Sequence, residues 1–202
     1  MMPGRPILWL LPALLAAAAA WQLGSAGWLW AKAELAQLLL ARAWERTLLG
    51  EKNVRPWSWA DTWPVARLEA PSRGLAFFVL AGGTGRTLAF APGHLDGTPL
   101  PGERGRSVIA AHRDSHFRFL GGILPGERLR LQTKEGAWRD FVALEGVVLD
   151  ARHERLRLAH TGEPELVLVT CYPFNAPFAG SPLRYVLRAV VADVIEDSGG
   201  SG

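Results

Sequence analysis

The chain lacks the features that mark several common classes of protein. Among 202 residues there is one cysteine, Cys171, which excludes an intrachain disulfide and leaves its thiol free. The 22 basic and 19 acidic residues nearly balance, and no cluster of lysine and arginine with interleaved aromatic residues suggests a nucleic-acid partner. The glycine-rich stretch 82–85 lacks the Gly-Lys-Ser/Thr that holds phosphate, so it predicts a turn.

The chain also lacks a convincing metal motif. His112 and His116 have the spacing of a zinc pair, but a metalloprotease helix needs glutamate after the first histidine. Arg113 stands there instead, and its positive charge would repel a dication. We therefore expect no metal site at these histidines. His94 lies in a proline- and glycine-rich loop, which favours a structural role.

Charge is absent from Pro6 to Ala31. At 1.5 Å per helical residue this run exceeds the roughly 30 Å hydrocarbon core of a bilayer, so it can span a membrane. The Ala16–Ala20 tract followed by Gly-Ser-Ala-Gly also fits a signal peptide with small-residue cleavage sites. Trp28 and Trp30, near the outer end, favour a retained anchor because tryptophan is enriched at membrane interfaces.

A second helical pattern follows the uncharged run. Leucines alternate with charged residues from Ala31 to Leu49 at helical spacing, and the stretch 50–56, with Gly50 and Pro56, predicts the helix end. This helix would either continue the membrane helix or pack on the domain. Trp57, Trp59 and Trp63 then occupy an extended stretch and are expected to pack in the core or contact the membrane.

Beyond Pro64 the patterns are short and typical of β-strands. The predicted strands are Val65–Leu68, Leu75–Leu80, Thr87–Phe90, Ser107–Ala111, Arg128–Thr133, Ala137–Leu144, Val147–Asp150, Glu165–Thr170 and Tyr185–Val194. Eight or so strands with few helices indicate a mainly β domain, either a closed barrel or a sandwich.

Three strand-like segments carry residues with useful chemistry. Cys171 ends an apolar run and opens a proline-broken loop, where a thiol can be partly exposed, although a lone cysteine is more often a buried small hydrophobe. His112 follows a second short strand, and Arg184 begins the last one. A thiol, an imidazole and a guanidinium at strand ends are the groups that acyl transfer uses.

The three segments together resemble sortases, which are membrane-anchored cysteine transpeptidases. The stretch 167–171, Val-Leu-Val-Thr-Cys, is similar to the family's Thr-Leu-x-Thr-Cys except at its first position. Ala111-His112-Arg113 matches a Gly-His-Arg setting with alanine in place of glycine, and Arg184 begins the last strand as in the family. Upstream, residues 91–105 look like the family's Pro-Gly-His…Pro-Gly-Glu stretch, with Arg106 where asparagine is common. The resemblance runs from about Trp57 to Val194 and is nearest to proteobacterial sortases, close to class D.

The resemblance implies a closed sortase-like β-barrel and a defined set of roles. It assigns Cys171 as nucleophile, His112 as general acid and base, and Arg184 as the group that holds the oxyanion or the substrate backbone. Thr170, Ala111 and Tyr172, which flank these residues, are assigned to substrate binding. The implied partners are proteins with a C-terminal, LPXTG-like sorting signal, an amine acceptor, and the membrane through the N-terminal helix. Neither a metal nor an organic cofactor is required.

The resemblance also implies a domain order. Residues 1–31 would form a transmembrane anchor or signal-like segment, 32–56 a helical linker, 57–197 the catalytic barrel and 198–202 a flexible tail. The family places the barrel outside the cytoplasmic membrane, on the periplasmic or extracytoplasmic side. The positive-inside rule opposes this, because one flank of the uncharged run carries Arg5 and the other carries more basic residues, namely Lys32, Arg42, Arg46 and Lys52.

Two other readings stay open. An L,D-transpeptidase or another cysteine peptidase also uses cysteine and histidine, but those families usually place the cysteine after a Ser-x-Gly stretch, which is absent before Cys171. A catalytically silent barrel that binds components of the cell envelope is the alternative that is not an enzyme.

Overall fold

The structure is a computed structural model that describes residues 7–154, 162–178 and 180–192. The predicted tail 198–202 and the end of the last predicted strand, 193–194, lie outside the described residues. By its internal contacts the chain divides into two compact units, with the division between Leu38 and Leu39.

One long helix, α1, runs from Ile7 to Leu48 without a break at the predicted boundary between residues 31 and 32. The helix ends within the predicted stretch that begins at Gly50. Gly50 has φ of +93°, and its N–H donates to the carbonyl of Thr47 at 2.9 Å. Among the described helices, this one alone is long and apolar enough to cross a membrane, by length and composition only. A signal sequence near the N-terminus meets the same criterion.

The second unit is built from β-strands. Within the described ranges these are β1 (Pro64–Ala70), β2 (Leu75–Ala81), β3 (Gly93–His94), β4 (Gly105–Ala110), β5 (Arg128–Thr133), β6 (Trp138–Ala143), β7 (Val147–Asp150), β8 (Pro164–Cys171) and β9 (Leu183–Val191).

The strands close into a barrel. Their order is β6-β5-β1-β2-β3-β4-β8-β9, and β6 returns to pair with β9 through Phe141–Ala143 opposite Ala189–Val191. Eight strands therefore complete the ring, and β7 pairs with the other half of β9. Closure leaves the ring without free edges, which is how small β domains satisfy their backbone hydrogen bonds. The predicted mainly β, closed barrel of about eight strands is confirmed.

The region between β2 and β3 differs from the prediction. Thr87–Phe90 was predicted as a strand, but Gly85–Leu88 forms a short helix, α2. Thr84 caps it, since its hydroxyl accepts a hydrogen bond from the N–H of Thr87 at 3.3 Å. Strand β3 escaped prediction because two residues are too few to show an alternating pattern.

Side chains that alternate inward from the strands fill the barrel. Fully buried examples are Leu68, Ile109, Leu129, Leu131, Phe141, Leu166, Leu168 and Leu187. The last turns of α1 pack on the barrel as well. Leu40 is buried with Leu80 and Ala91, and the indole N–H of Trp44 donates to Gln132 Oε1 at 3.2 Å.

The three tryptophans after α1 differ in environment. Trp57 packs on Phe90, with ring centroids 4.8 Å apart, and Trp63 packs against the main core. Trp59 is 81% exposed. Two of the three thus serve the core packing that the sequence predicted.

An ion pair ties the β1–β2 turn to the chain that leads into β5. Arg73 donates to both carboxylate oxygens of Glu127, at 3.0 and 3.1 Å, and the N–H of Leu124 donates to the same carboxylate at 3.1 Å. The Arg73 hydrogen bond is the largest of the causes that lower the pKa of Glu127 to about 2. This pair helps to close the end of the barrel.

Candidate active site

The three candidate residues lie at or just beyond the ends of three neighbouring strands. Strand β8, which ends at Cys171, is flanked by β4 on one side and β9 on the other. In the antiparallel β8–β9 pair Cys171 lies directly opposite Arg184. The next pair outward is hydrogen-bonded, since the N–H of Tyr172 donates to the carbonyl of Leu183 at 3.0 Å. Because the two kinds of pair alternate, Cys171 and Arg184 form a non-hydrogen-bonded pair, whose Cα atoms approach to about 4.5 Å.

His112 is level with Cys171. Strands β4 and β8 are parallel, with Ala110 opposite Val169, and counting two residues onward from both brings His112 beside Cys171. Two bonds extend this register beyond β4: the N–H of Ala111 donates to the carbonyl of Val169 at 3.2 Å, and the hydroxyl of Thr170 donates to the carbonyl of Ala111 at 2.7 Å. Because adjacent strands lie about 4.8 Å apart, the backbone positions that carry the imidazole and the thiol are neighbours across the two strands.

All three side chains belong to the outer face of the barrel. Leu166, Leu168 and Leu187 point inward, and by the two-residue alternation of a strand Cys171 and Arg184 take the opposite face. Ala111 is buried in the interior core, and the next residue, His112, is exposed. Cys171 is itself partly exposed. The thiol therefore sits where a substrate can reach it, unlike a core cysteine.

Arg184 is already engaged with backbone. Its Nη1 donates to the carbonyls of Ser181 at 2.7 Å and Leu183 at 2.9 Å, at the entrance to β9. These bonds fix the guanidinium beside Cys171. Within the described part of the chain Arg184 donates these hydrogen bonds through Nη1, which leaves the N–H groups of Nη2 and Nε available.

Further down the same face lies an ion cluster that the sequence did not predict. Glu165 is only 3% exposed and pairs with Arg106 at 2.9 Å and with Arg188. Burial acts to raise the pKa of Glu165, but the hydrogen bonds from both arginines outweigh it and hold the pKa below its ordinary value. Arg188 is thus committed to a structural pair about 13 Å along β9 from Arg184.

The residues predicted to bind substrate differ in their environment. Thr170 and Ala111 are 3% and 5% exposed, and their mutual hydrogen bond joins the strand of the cysteine to the residue before the histidine. Tyr172 is half-buried and stacks edge-on near Phe174, with centroids 6.1 Å apart. Thr170 and Ala111 are placed to position the other groups, and their part in substrate binding stays a prediction.

The other histidines near the site are held by packing. His94 is buried in β3, with Nε2 at 2.9 Å from both Pro99 O and Thr98 Oγ1, as a structural role requires. His116 packs edge-on against Phe77 at 5.9 Å. Burial lowers the pKa of His116, and the nearby His112 lowers it further.

Sequence reasoning missed one residue of the site. Arg113 appeared only as part of the His112 motif and as an argument against zinc, yet its guanidinium reaches the loop that follows Cys171. Its position next to the histidine was the only available signal, because its partners lie more than 60 residues away.

Two of the larger clefts lie away from the three candidate residues. One, of about 530 Å³, is lined by Gly102, Arg139 and Pro164 and therefore opens near the start of β8, about 23 Å from its end at Cys171. Another, of about 700 Å³, lies between the end of α1 and the barrel, near Trp63 and His94. Neither of these two clefts includes a candidate residue.

Fold and site together define a class: a closed β-barrel that assembles cysteine, histidine and arginine on three adjacent strands. The chain belongs to the sortase family, because the family profile described as "Sortase domain" matches residues 68–192, more than half of its length. Sortase D of Bacillus subtilis (strain 168) is 31% identical over 120 residues, which are 59% of this chain and 60% of that protein. The match thus spans less than two thirds of Sortase D.

Solved structures with low sequence identity share the fold. Sortase A from Corynebacterium diphtheriae gives a TM-score of 0.58 at 22% identity, covering 67% of this chain and 63% of that one. A Sortase D5 transpeptidase of Clostridium perfringens gives 0.55 at 22% identity, covering 75% and 88%.

Proposed function

We propose that this protein is a sortase-type cysteine transpeptidase that cleaves an LPXTG-like C-terminal sorting signal and joins the cleaved protein to an amine. The observation that carries the proposal is the shared level of three side chains on the outer face: Cys171 in β8, Arg184 opposite it in β9, and His112 beside it after β4. Membership of the sortase family supports it. The 31% identity with Sortase D supports a type close to class D, and the likeness to proteobacterial sortases stays a prediction.

The first half-reaction forms a thioester. The thiolate of Cys171 attacks the carbonyl carbon of the threonine in the sorting signal and forms a C–S bond. The negative charge that develops on the carbonyl oxygen is held by guanidinium N–H groups of Arg184. His112, as imidazolium, protonates the leaving amine as the peptide C–N bond breaks. The acyl-enzyme and the neutral imidazole remain.

The second half-reaction returns the enzyme to its starting state. Neutral His112 takes a proton from the incoming amine, whose nitrogen attacks the thioester carbonyl. The C–S bond breaks, the Cys171 thiolate is released, and a new amide joins the protein to the acceptor. Protons balance over the cycle, because His112 gives one to the leaving amine and takes one from the incoming amine, whose nitrogen supplies the electron pair of the new amide bond.

We also propose that α1 is retained as a single-pass anchor in the cytoplasmic membrane, with the barrel on the extracytoplasmic side. Trp21, Trp28 and Trp30 are each at least 63% exposed on the helix, and Lys32 Nζ lies 4.8 Å from the ring centroid of Trp28, as at a membrane interface. A protease added outside intact spheroplasts should digest the barrel. Protection of the barrel from the protease would favour the cytoplasmic location that the positive-inside rule predicts. A soluble product lacking the residues before about Trp28 would show that the N-terminal segment is cleaved as a signal peptide.

Mass spectrometry of the acyl-enzyme tests the proposed chemistry directly. Incubation with a Leu-Pro-x-Thr-Gly peptide library should add the acyl part of a peptide, cut after threonine, to Cys171, and an added amine should release it. Cys171→Ala should fold normally and form no adduct. If Cys171 reacts with an alkylating agent but no peptide adduct forms or protects it, the sorting-signal substrate is wrong. A thiol inert to both would support the silent, envelope-binding barrel.

A further inference from the structure

The guanidinium of Arg113 bridges two segments that are far apart in sequence. Its Nη2 donates to the carbonyl of Ala176 at 3.1 Å and to that of Phe178 at 2.7 Å. Both carbonyls belong to the loop 172–182 that begins directly after Cys171, and Arg113 itself directly follows His112. One side chain therefore connects the segment that carries the imidazole to the loop that directly follows the thiol.

We propose that Arg113 is a positioning residue that holds the His112 segment and the Cys171 loop in one fixed arrangement. This inference rests on the proposed function. Arg113 lies outside the three groups assigned to the chemistry, and its bonds go to backbone carbonyls of the protein. Its effect on the reaction would be exerted through the placement of His112 relative to Cys171.

The loop needs such a restraint because its own backbone offers few hydrogen bonds. Proline occupies three of its positions, 173, 177 and 182, and proline has no N–H to donate. In the part of the loop that the structure describes, two backbone N–H groups donate hydrogen bonds to backbone carbonyls, that of Tyr172 to Leu183 and that of Ala176 to Pro173. Phe178 is 81% exposed, so its ring adds little packing. The carbonyls of Ala176 and Phe178 are held by Arg113.

Other contacts hold the two ends of the loop. Near its start, the ring of Phe174 packs against Gly121, where an added Cβ would lie 3.0 Å from the ring, and against Tyr185 with centroids 5.1 Å apart. Near its end, Arg184 holds the carbonyl of Ser181 at 2.7 Å. Between these points, Arg113 holds the carbonyls of Ala176 and Phe178.

A planar guanidinium suits this task better than an ammonium. Its nitrogens carry hydrogens in fixed directions, so one Nη2 can donate to two carbonyls that are two residues apart. Lysine keeps the charge but presents a compact, strongly hydrated group on a flexible stem. We therefore expect Arg113→Lys to retain part of the restraint and Arg113→Gln to lose most of it.

The test compares Arg113→Gln and Arg113→Lys with wild type in the full-length protein in detergent micelles. Arg86→Gln is the matched control, since it removes one arginine charge from an exposed pair with Asp61 elsewhere on the barrel. Hydrogen exchange of peptides covering 172–178 should be about tenfold faster in Arg113→Gln, as expected when charge-assisted hydrogen bonds of a local segment are lost. Arg86→Gln should leave exchange in this loop unchanged.

Two chemical measurements separate positioning from a purely structural effect. In single-turnover acylation by a Leu-Pro-x-Thr-Gly peptide, Arg113→Gln should lower the maximal rate about tenfold with the half-saturating concentration within about twofold, because misplacement acts on the reacting geometry. Alkylation of Cys171 by iodoacetamide should stay within about twofold, since a small reagent does not need His112 as an acid. Arg113→Lys should fall between wild type and Arg113→Gln.

The outcomes distinguish this inference from the proposed function. If Arg113→Gln acylates and exchanges its loop amides at the wild-type rates, the positioning role is overturned. It is also overturned if the variant loses alkylation and acylation equally and is globally destabilised. If wild type itself forms no acyl-enzyme, the proposed function fails. Loop exchange then decides alone whether Arg113 holds the loop, and unchanged exchange refutes it.

Discussion

The hydrogen bond between Thr170 and Ala111 offers a sharp test of how the site is assembled. The hydroxyl of Thr170 donates to the carbonyl of Ala111 at 2.7 Å, and both residues are almost fully buried. This bond joins the residue before Cys171 to the residue before His112. Thr170→Val replaces the hydroxyl by a methyl group of similar size, so it removes the bond and leaves the packing nearly unchanged.

The expected loss of stability follows from the buried carbonyl left without its donor. An unsatisfied buried group of this kind costs about 1 to 2 kcal/mol. For a domain of roughly 150 residues this corresponds to a fall in Tm of about 3 to 6 °C. The effect on chemistry should be larger than the effect on folding, because a small displacement of His112 relative to Cys171 slows the reaction. We expect acylation to fall about tenfold.

Thr62→Val is a matched control for this change. The hydroxyl of Thr62 donates to the carbonyl of Ala81 at 2.7 Å, and Thr62 is 2% exposed, so the two threonines are equally buried and make the same kind of bond, although Ala81 is only half-buried. Ala81 ends β2, which is three strands away from β8 around the barrel. Thr62→Val should therefore lose a similar amount of stability and acylate within about twofold of wild type.

Calorimetry and single-turnover acylation with a sorting-signal peptide measure the two effects separately. Thr170→Ser keeps the hydroxyl and should recover most of the acylation rate. The reasoning is refuted if Thr170→Val and Thr62→Val acylate equally fast while both lose stability. In that case the Thr170 bond would contribute to folding and not to the geometry of the site.

Three further predictions concern single side chains. Arg184→Lys should lower acylation more than about tenfold because lysine loses the planar fork of donors, whereas Arg188→Lys should be nearly silent; the reverse ranking in single-turnover acylation would exchange their roles. His112→Asn should cost at least about 100-fold in rate and His116→Asn far less, and steady-state turnover of the two variants checks this order. Glu127, whose pKa is lowered to about 2, should contribute about 1 to 2 kcal/mol at pH 7 after allowance for solvent at this surface pair. That contribution is present above about pH 4.5 and is lost as the pH falls toward 2, so Glu127→Gln should be less stable than wild type at pH 7 and equally stable near pH 2 in denaturant titrations.

Much of the fold follows from local pattern. The predicted strands Arg128–Thr133 and Val147–Asp150 have the bounds found in the structure, and the predicted strand Glu165–Thr170 differs by one residue at each end. Arg128–Thr133 alternates apolar with polar residues, which reveals the period of two, whereas Val147–Asp150 and Glu165–Thr170 are short runs rich in valine and leucine, which is the other pattern typical of a strand. The end of α1 could also be predicted from the sequence, since Gly50 adopts the positive φ that glycine tolerates.

The residues between β2 and β4 were harder to predict. The short stretch Thr87–Phe90 carries an apolar pattern that fits a strand, but Thr84 caps a single helical turn there. His94 lies in a strand that is two residues long and exists only because β2 and β4 pair with it on either side. In such short segments long-range pairing outweighs local preference.

The sequence by itself singled out Cys171, His112 and Arg184 as the candidate residues, because their positions at strand ends and the motifs around them can be read from neighbouring residues. Only the tertiary structure decided that β8 lies between β4 and β9, that Cys171 faces Arg184, and that Arg113 reaches a loop more than 60 residues away. It likewise decided that Glu165 is buried between two arginines. Local pattern encodes the period and ends of each element, whereas the choice of neighbours depends on the free energy of closing the whole barrel. That free energy is shared among residues distant in sequence.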